Sequence, residues 1–222
     1  MEKYLIHTCN KRLWYVNRYL IPSMCEQGIK KKNIVVYNDE IGEGQLISLI
    51  KSYDKTNGED FWHLQDDIII SSKFKEETEK HNEGIVCGFC NKFSVSRPGR
   101  VNIFDMWYSM PCIRIPGNIF KEFVGWLNDP STRHTFMCYF EENKHDDVLL
   151  ESFLKTNYPK LQPYNLAPNI VNHIDHLLGG SIINKMRNKP LEFIMSTFWE
   201  EPELLVNIEK ELQKGGQKNE TD

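Results

Sequence analysis

The sequence predicts an α/β fold, a mainly parallel central sheet flanked by helices in a single domain. Short runs rich in isoleucine and valine alternate with longer segments of helical apolar period over the first 70 residues. That β-α-β-α-β order is the signature of parallel strands joined by right-handed crossovers. The composition agrees: 222 residues suffice for one sizeable core, and 40% hydrophobic with 26% charged residues is ordinary for a globular protein.

The elements follow in order. "KYLIHTC", Lys3 to Cys9, reads as the first strand. Leu13, Val16, Leu20 and Met24 recur near the helical period, and Gly28 ends that helix. "KNIVVYND" supplies a second buried strand, Asn33 to Asn38. "GEGQLISLIKSYDKTNG" is a helix with a Gly-rich entry, closed by Asn57-Gly58, and "DFWHLQDDIII" is the third strand. "SKFKEETEKH" is a charged surface helix and "GIVCGFC" a further strand. Asn91 to Ser109 mixes Pro, Gly, Arg and aromatics and reads as a long loop, a length that usually marks function. "PCIRIPGNIFKEFVGWL" is strand, turn and helix, "STRHTFMCYFEENKH" another apolar stretch, and "DDVLLESFLKTN" a helix. Residues 185–214 form a helical extension, and 215–222 a polar, flexible tail.

Several classes are disfavoured. A net charge of −4 does not announce a nucleic-acid binder, although a local basic patch is compatible with it. No stretch approaches the roughly 18–20 apolar residues of a membrane span, and "MEKYLIHTCNKR" lacks a secretory layout. The expectation is a cytoplasmic protein with no membrane anchor. The six cysteines are scattered, mostly in apolar segments, as free buried thiols are. Cys87 and Cys90 have metal-site spacing, but no second such pair exists to complete a structural zinc site.

Three clusters carry candidate chemistry. The first is Asp66-Asp67, inside an isoleucine-rich strand where a bare carboxylate is costly. Either a turn exposes the pair or something positive sits against it. At the exit of a parallel strand, where ligands gather, such acids suit Mg²⁺ or Mn²⁺. The second is His145-Asp146-Asp147 before "VLLESFL": helix capping accounts for it, or a general base at a helix start. The third is "NIVNHIDHLLGGS", with His173 and His176 one turn apart: a surface helix or loop with satisfied histidines, or a metal or phosphate ligand folded back over the site.

In this order the clusters resemble the metal-dependent GT-A-type nucleotide-sugar glycosyltransferases. "HLQDD" stands at the place of that family's Asp-x-Asp motif, "HDDVLL" at its Glu-Asp-x-x-Leu-type motif, and "NIVNHIDHLLGGS" at its late His-containing segment. The resemblance spans roughly residues 3 to 184. It departs from the family at Gln65, where an acid often contacts ribose, and at "HDD", which leaves Asp146 and Asp147 both open as the base. It implies a single GT-A-like, Rossmann-like catalytic domain over 1–184, with a nucleotide-binding half at 1–70 and an acceptor half carrying the base at 84–184.

The resemblance further implies a function: transfer of a sugar from a nucleotide-diphosphate sugar, a UDP-sugar by expectation, to an acceptor hydroxyl with inversion. Asp67 and His173 are then metal ligands for Mn²⁺ or Mg²⁺, with His176 the substitute for His173. Asp147 is the base, with Asp146 beside it. Thr8, Arg12, Asp39 and Asp66 hold the nucleotide. Trp107, Tyr108, Arg97 and Arg100 contact the acceptor: a glycan, a protein or a hydroxymethylated DNA base, since bases and sugars both stack on aromatics. A small enzyme of this kind suits a bacterial or phage-infected host cytosol. Two other classes stay open: a nucleotidyltransferase, against which the acidic Gly42-Glu43-Gly44 counts, and a non-catalytic binding module for nucleotide-sugar or glycan.

Overall fold

A computed structural model describes residues 2–89, 98–104, 110–142, 145–167, 169–174, 178 and 210. The chain opens with β1 (Lys3–Cys9), then α1 (Leu13–Tyr15), a π-helical turn (Val16–Leu20) and α2 (Ile21–Glu26) in one continuous helical path. Gly28, at φ +85°, ends it by a left-handed turn in which Ile29 N–H returns to Met24 O. β2 (Ile34–Asp39), α3 (Gln45–Ser52) and β3 (Phe61–Gln65) complete the expected β-α-β-α-β opening, although β2, expected to be buried, is an edge strand whose residues are all half-buried. Asn57 and Gly58, both left-handed, make the turn before β3.

Then come β4 (Ile68–Ile70), α4 (Phe74–Lys80), β5 (Val86–Cys87), β6 (Gly99–Arg100) and β7 (Cys112–Ile115). Four helices follow: α5 (Gly117–Asn128), α6 (Pro130–Thr135), α7 (Met137–Glu142) and α8 (Asp146–Asn157). β8 (Tyr164–Asn165) and β9 (Val171–His173) close the described order. The main sheet has seven strands in the order β2-β1-β3-β7-β5-β8-β6. β2, β1, β3, β5 and β8 run one way; β7 and β6 run the other. The sheet is therefore mainly parallel, with β7 inserted antiparallel at its centre.

The strand period of two sorts the core onto both faces. Tyr4, Ile6, Trp62 and Leu64 pack with Tyr15, Leu20, Met24 and Phe74 on one side. Leu5, Phe61, Ile113 and Ile115 pack with Phe120, Phe123, Leu149 and Phe153 on the other.

Three expectations need correction. Ile68–Ile70 do not continue the third strand: the chain bends at Asp66-Asp67, and β4 pairs antiparallel with β9 in a separate two-stranded sheet. The isoleucines are buried there all the same, which is why the run read as one strand. "GIVCGFC" keeps only two residues in strand, β5. His173 lies in β9, neither in a helix nor in a loop. The 185–214 extension, apart from Lys210, and the 215–222 tail lie outside the described residues, as do Cys90 and most of the Asn91–Ser109 loop. The five described cysteines are free, but only Cys87 and Cys112 are buried as expected; Cys9 is half-buried, and Cys25 and Cys138 are exposed. Among the described residues no helix is long and apolar enough to cross a membrane.

Candidate functional site

Parallel pairing brings three strand exits to one edge. Thr8 stands opposite Asn38, Cys9 opposite Asp39, and His7 opposite Gln65. Beyond that edge, the turn after β1 sends Arg12 back beneath it: Arg12 N–H donates to Cys9 O, and Arg12 O accepts from Tyr15 N–H at 2.9 Å, starting the helix. Tyr15 then anchors the next strand by donating its hydroxyl to Ile68 O at 2.8 Å.

The Asp66-Asp67 pair is buried, and something positive does sit against it. Arg12, itself 5% exposed, donates from a single nitrogen, NH1, to Asp66 Oδ1 at 2.9 Å and to Asp67 Oδ2. Asp66 Oδ2 accepts from Thr8 Oγ1 at 2.9 Å and from Cys9 N–H at 3.3 Å. Both Asp66 oxygens are thus engaged within the protein. Thr8, Arg12 and Asp66, expected to hold nucleotide, are first of all bound to one another.

Asp67 differs. Its Oδ1 is buried and faces His173 alone, 3.1 Å from Nε2, a distance at which the two pair. The β4–β9 clip sets this approach: Ile68 pairs with His173, and Ile174 N–H donates to Asp67 O at 2.7 Å. Phe89 lies against the His173 ring, centroids 6.2 Å apart. Burial alone pushes both carboxyls up. In Asp67 the facing His173 and Arg12 outweigh burial and hold the carboxyl well below its usual range. In Asp66 burial and the Asp67 charge win, raising it to about 6.

Over this floor opens a cavity of about 310 Å³, lined by His7, Thr8, Cys9, Arg12, Asp39, Gly42, Gly44, Gln45, Gln65, Asp66, Asp67 and His173. Its volume is at the small end of ligand pockets. Asp39 shapes one wall: Oδ1 accepts from Glu43 N–H at 2.8 Å and Oδ2 from Gly44 N–H at 3.0 Å. Burial raises the Asp39 carboxyl, but those amides outweigh it and hold it below its ordinary value. Gly42 and Gly44 both have positive φ, so the turn between Asp39 and α3 depends on glycine.

No protein-family model matches the sequence, and no curated protein matches it. Solved structures do. S. aureus TarS 1–349 aligns over 80% of this chain and 62% of its own, at 11% identity and a TM-score of 0.52. A glycosyltransferase involved in the glycosylation of the major capsid of PBCV-1 aligns over 75% and 82%, at 11% identity and 0.43. A197 from STIV aligns over 78% and 85%, at 16% identity and 0.39.

The fold is GT-A-like. The TarS likeness establishes that and nothing finer, because identity is so low; the other two are too loose to add to it.

In this GT-A-like fold the residues present fit a small divalent cation. Mg²⁺ takes one or two protein carboxylates with water and phosphate, and Mn²⁺ accepts imidazole as well. Neighbouring ligands in an octahedral shell with bonds of about 2.1 Å lie roughly 3 Å apart. The 3.1 Å between Asp67 Oδ1 and His173 Nε2 suits that spacing. Among the described residues no cluster of three or more His, Cys, Asp or Glu groups suits a metal. A cation here would have two protein ligands and draw the rest from ligand and water.

Asp146 and Asp147 open α8, preceded by His145 in a left-handed conformation, φ 63°. Asp146 Oδ1 accepts from Asp147 N–H at 3.0 Å, and Asp147 Oδ1 from Val148 N–H at 2.8 Å. The pair does satisfy first-turn amides, as capping requires, yet each acid keeps its second oxygen out of those bonds. Asp146 is buried, and burial with the Asp147 charge raises its carboxyl to about 7. Burial also raises Asp147, which is half-buried. Neither lines the cavity, but Gln45, which does, is near enough to Asp146 to lower its carboxyl against the push of burial.

Of the expected acceptor contacts, Arg100 lies exposed on edge strand β6, its NH1 donating to Gln162 O at 3.2 Å. Trp107, Tyr108 and Arg97 lie outside the described residues, as does His176. Sequence reasoning missed Gln45, which carries no motif and is marked only by the Gly-rich entry to its helix. It also missed a histidine pair, His7 of the cavity lining and the buried His63. His7 and His63 rings stand 6.0 Å apart, and burial lowers them to about 4 and about 3, so both are neutral at pH 7.

Proposed function

We propose that this chain is a glycosyltransferase that moves a sugar from a nucleotide-diphosphate sugar, a UDP-sugar by preference, to an acceptor hydroxyl with inversion. The observation that carries the reading is the Asp67–His173 pair on the floor of a cavity at the strand exits of a GT-A-like sheet. There, Asp67 and His173 would hold Mn²⁺ or Mg²⁺, and the cation when bound supplies Lewis-acid stabilisation of the departing diphosphate. Thr8, Asp39 and Gln45 border the space for the nucleotide. Arg12 and Asp66 form the rigid base beneath it.

Asp147 acts as general base, accepting the acceptor's hydroxyl proton as its oxygen attacks the anomeric carbon. The upward push of burial on its carboxyl makes it a better base than a solvated aspartate. Asp146, more deeply buried, supports it. The acceptor is a glycan, a protein or a hydroxymethylated DNA base. The test is mass spectrometry of those three acceptor classes after incubation with mixed sugar nucleotides and Mn²⁺. A hexose added to one class is expected. Transfer of a nucleotidyl group would indicate nucleotidyltransferase chemistry, and no product with any donor would leave a binding module.

A further inference from the structure

Resting on that reading, we infer that Arg12 is a positioning residue for the cation site: it decides which carboxylate oxygen is left to bind metal. Four oxygens belong to Asp66 and Asp67, and the one least engaged by hydrogen-bond donors is the best placed to take a metal. Arg12 NH1 has two hydrogens and gives one to each carboxylate, at Asp66 Oδ1 and Asp67 Oδ2. Asp66 Oδ2 is taken by Thr8 and Cys9. Asp67 Oδ1 is the one oxygen that Arg12, Thr8 and Cys9 leave to His173, the other expected metal ligand. A guanidinium that grips one oxygen of Asp67 also fixes the rotamer that aims the other.

The grip is itself built in. Arg12 is 5% exposed, so its side chain has no alternative solvated position. Its backbone is held between the β1 exit, through Cys9 O, and the helix that Tyr15 ties to Ile68 O. Arg12 therefore couples two strand ends that the cation site needs in register. Groups that orient a metal ligand in this way typically account for about 10–100-fold in metal affinity. Lysine would keep the charge but not the planar nitrogen that serves both acids.

The experiment is titration of the metal-free protein with Mn²⁺ alone, followed by the loss of the free-ion electron paramagnetic resonance signal. Wild type, Asp67→Asn, Arg12→Met and Arg12→Lys are compared, with thermal unfolding as the check on folding. Asp67→Asn should abolish binding. Arg12→Met should bind about 10–100-fold more weakly than wild type. Arg12→Lys, which keeps the buried charge balanced and so the fold, should lose about tenfold. If Arg12→Met does not fold, Arg12→Lys decides. Wild-type affinity in a folded Arg12 variant, with Asp67→Asn dead, overturns the role of Arg12 and leaves the glycosyltransferase reading standing. No Mn²⁺ binding by wild type even with UDP added, or undiminished binding by Asp67→Asn, overturns both.

Discussion

Two adjacent buried carboxylates must find positive charge or be protonated, and here Arg12 meets both. Asp67 is kept ionised by Arg12 and His173, while burial and the neighbouring charge push Asp66 up. Asp146 is a third buried acid, and its sign is simple. Its folded-state carboxyl is raised to about 7 against an ordinary 3.8. A raised value favours the folded state at low pH, where the group is protonated either way, and the advantage is lost as pH rises from about 4 through about 7. Asp146→Asn mimics the protonated form. Denaturant unfolding should therefore show the variant gaining on wild type between pH 5 and pH 8, by on the order of a few kcal/mol at the upper end. A constant difference across that range would mean that Asp146 does not titrate in the window. The sequence showed the acids and posed the question of what faces them. It did not show Arg12 as the answer, because that contact spans 54 positions and the resemblance assigns Arg12 to the nucleotide instead.

At the scale of elements, local pattern predicted what local physics controls. β1, β2, β3 and the helices between them fall where apolar period and glycine punctuation put them. The errors lie where a partner far along the chain decides. Ile68–Ile70 read as sheet because they are apolar and β-branched, but their partner is β9, about a hundred residues on. Gly117 shows a similar long-range constraint. A Cβ there would lie 2.0 Å from Gly58 O, so the start of α5 presses on the turn that feeds β3. Gly117→Ala should destabilise by about 1–3 kcal/mol through overpacking. At this chain size that lowers Tm by roughly 2–12 °C, read by calorimetry. An unchanged Tm would mean that the turn yields at no cost.

On the scale of the whole molecule, the mainly parallel sheet gathers its strand exits into one crevice, and a short clip, β4 with β9, folds the histidine onto the last acid. The proposed base, Asp147, is set apart on α8 outside that crevice, and Gln45 of the cavity lining acts on its neighbour Asp146. This separation of donor floor and base makes a prediction of its own. Asp147→Asn should retain sugar-nucleotide binding by calorimetric titration while transfer falls by about 10²- to 10⁴-fold. A small loss would shift the role to Asp146 or to a retaining reaction. The central claim is that the Asp67–His173 floor activates a nucleotide-sugar. The most direct measurement is nucleoside diphosphate release from a panel of sugar nucleotides in Mn²⁺, with wild type and Asp67→Asn side by side. Release from at least one donor by wild type, lost on chelation and lost in Asp67→Asn with the fold intact, is the predicted result. Release that persists undiminished in Asp67→Asn, or none from any donor, would contradict it.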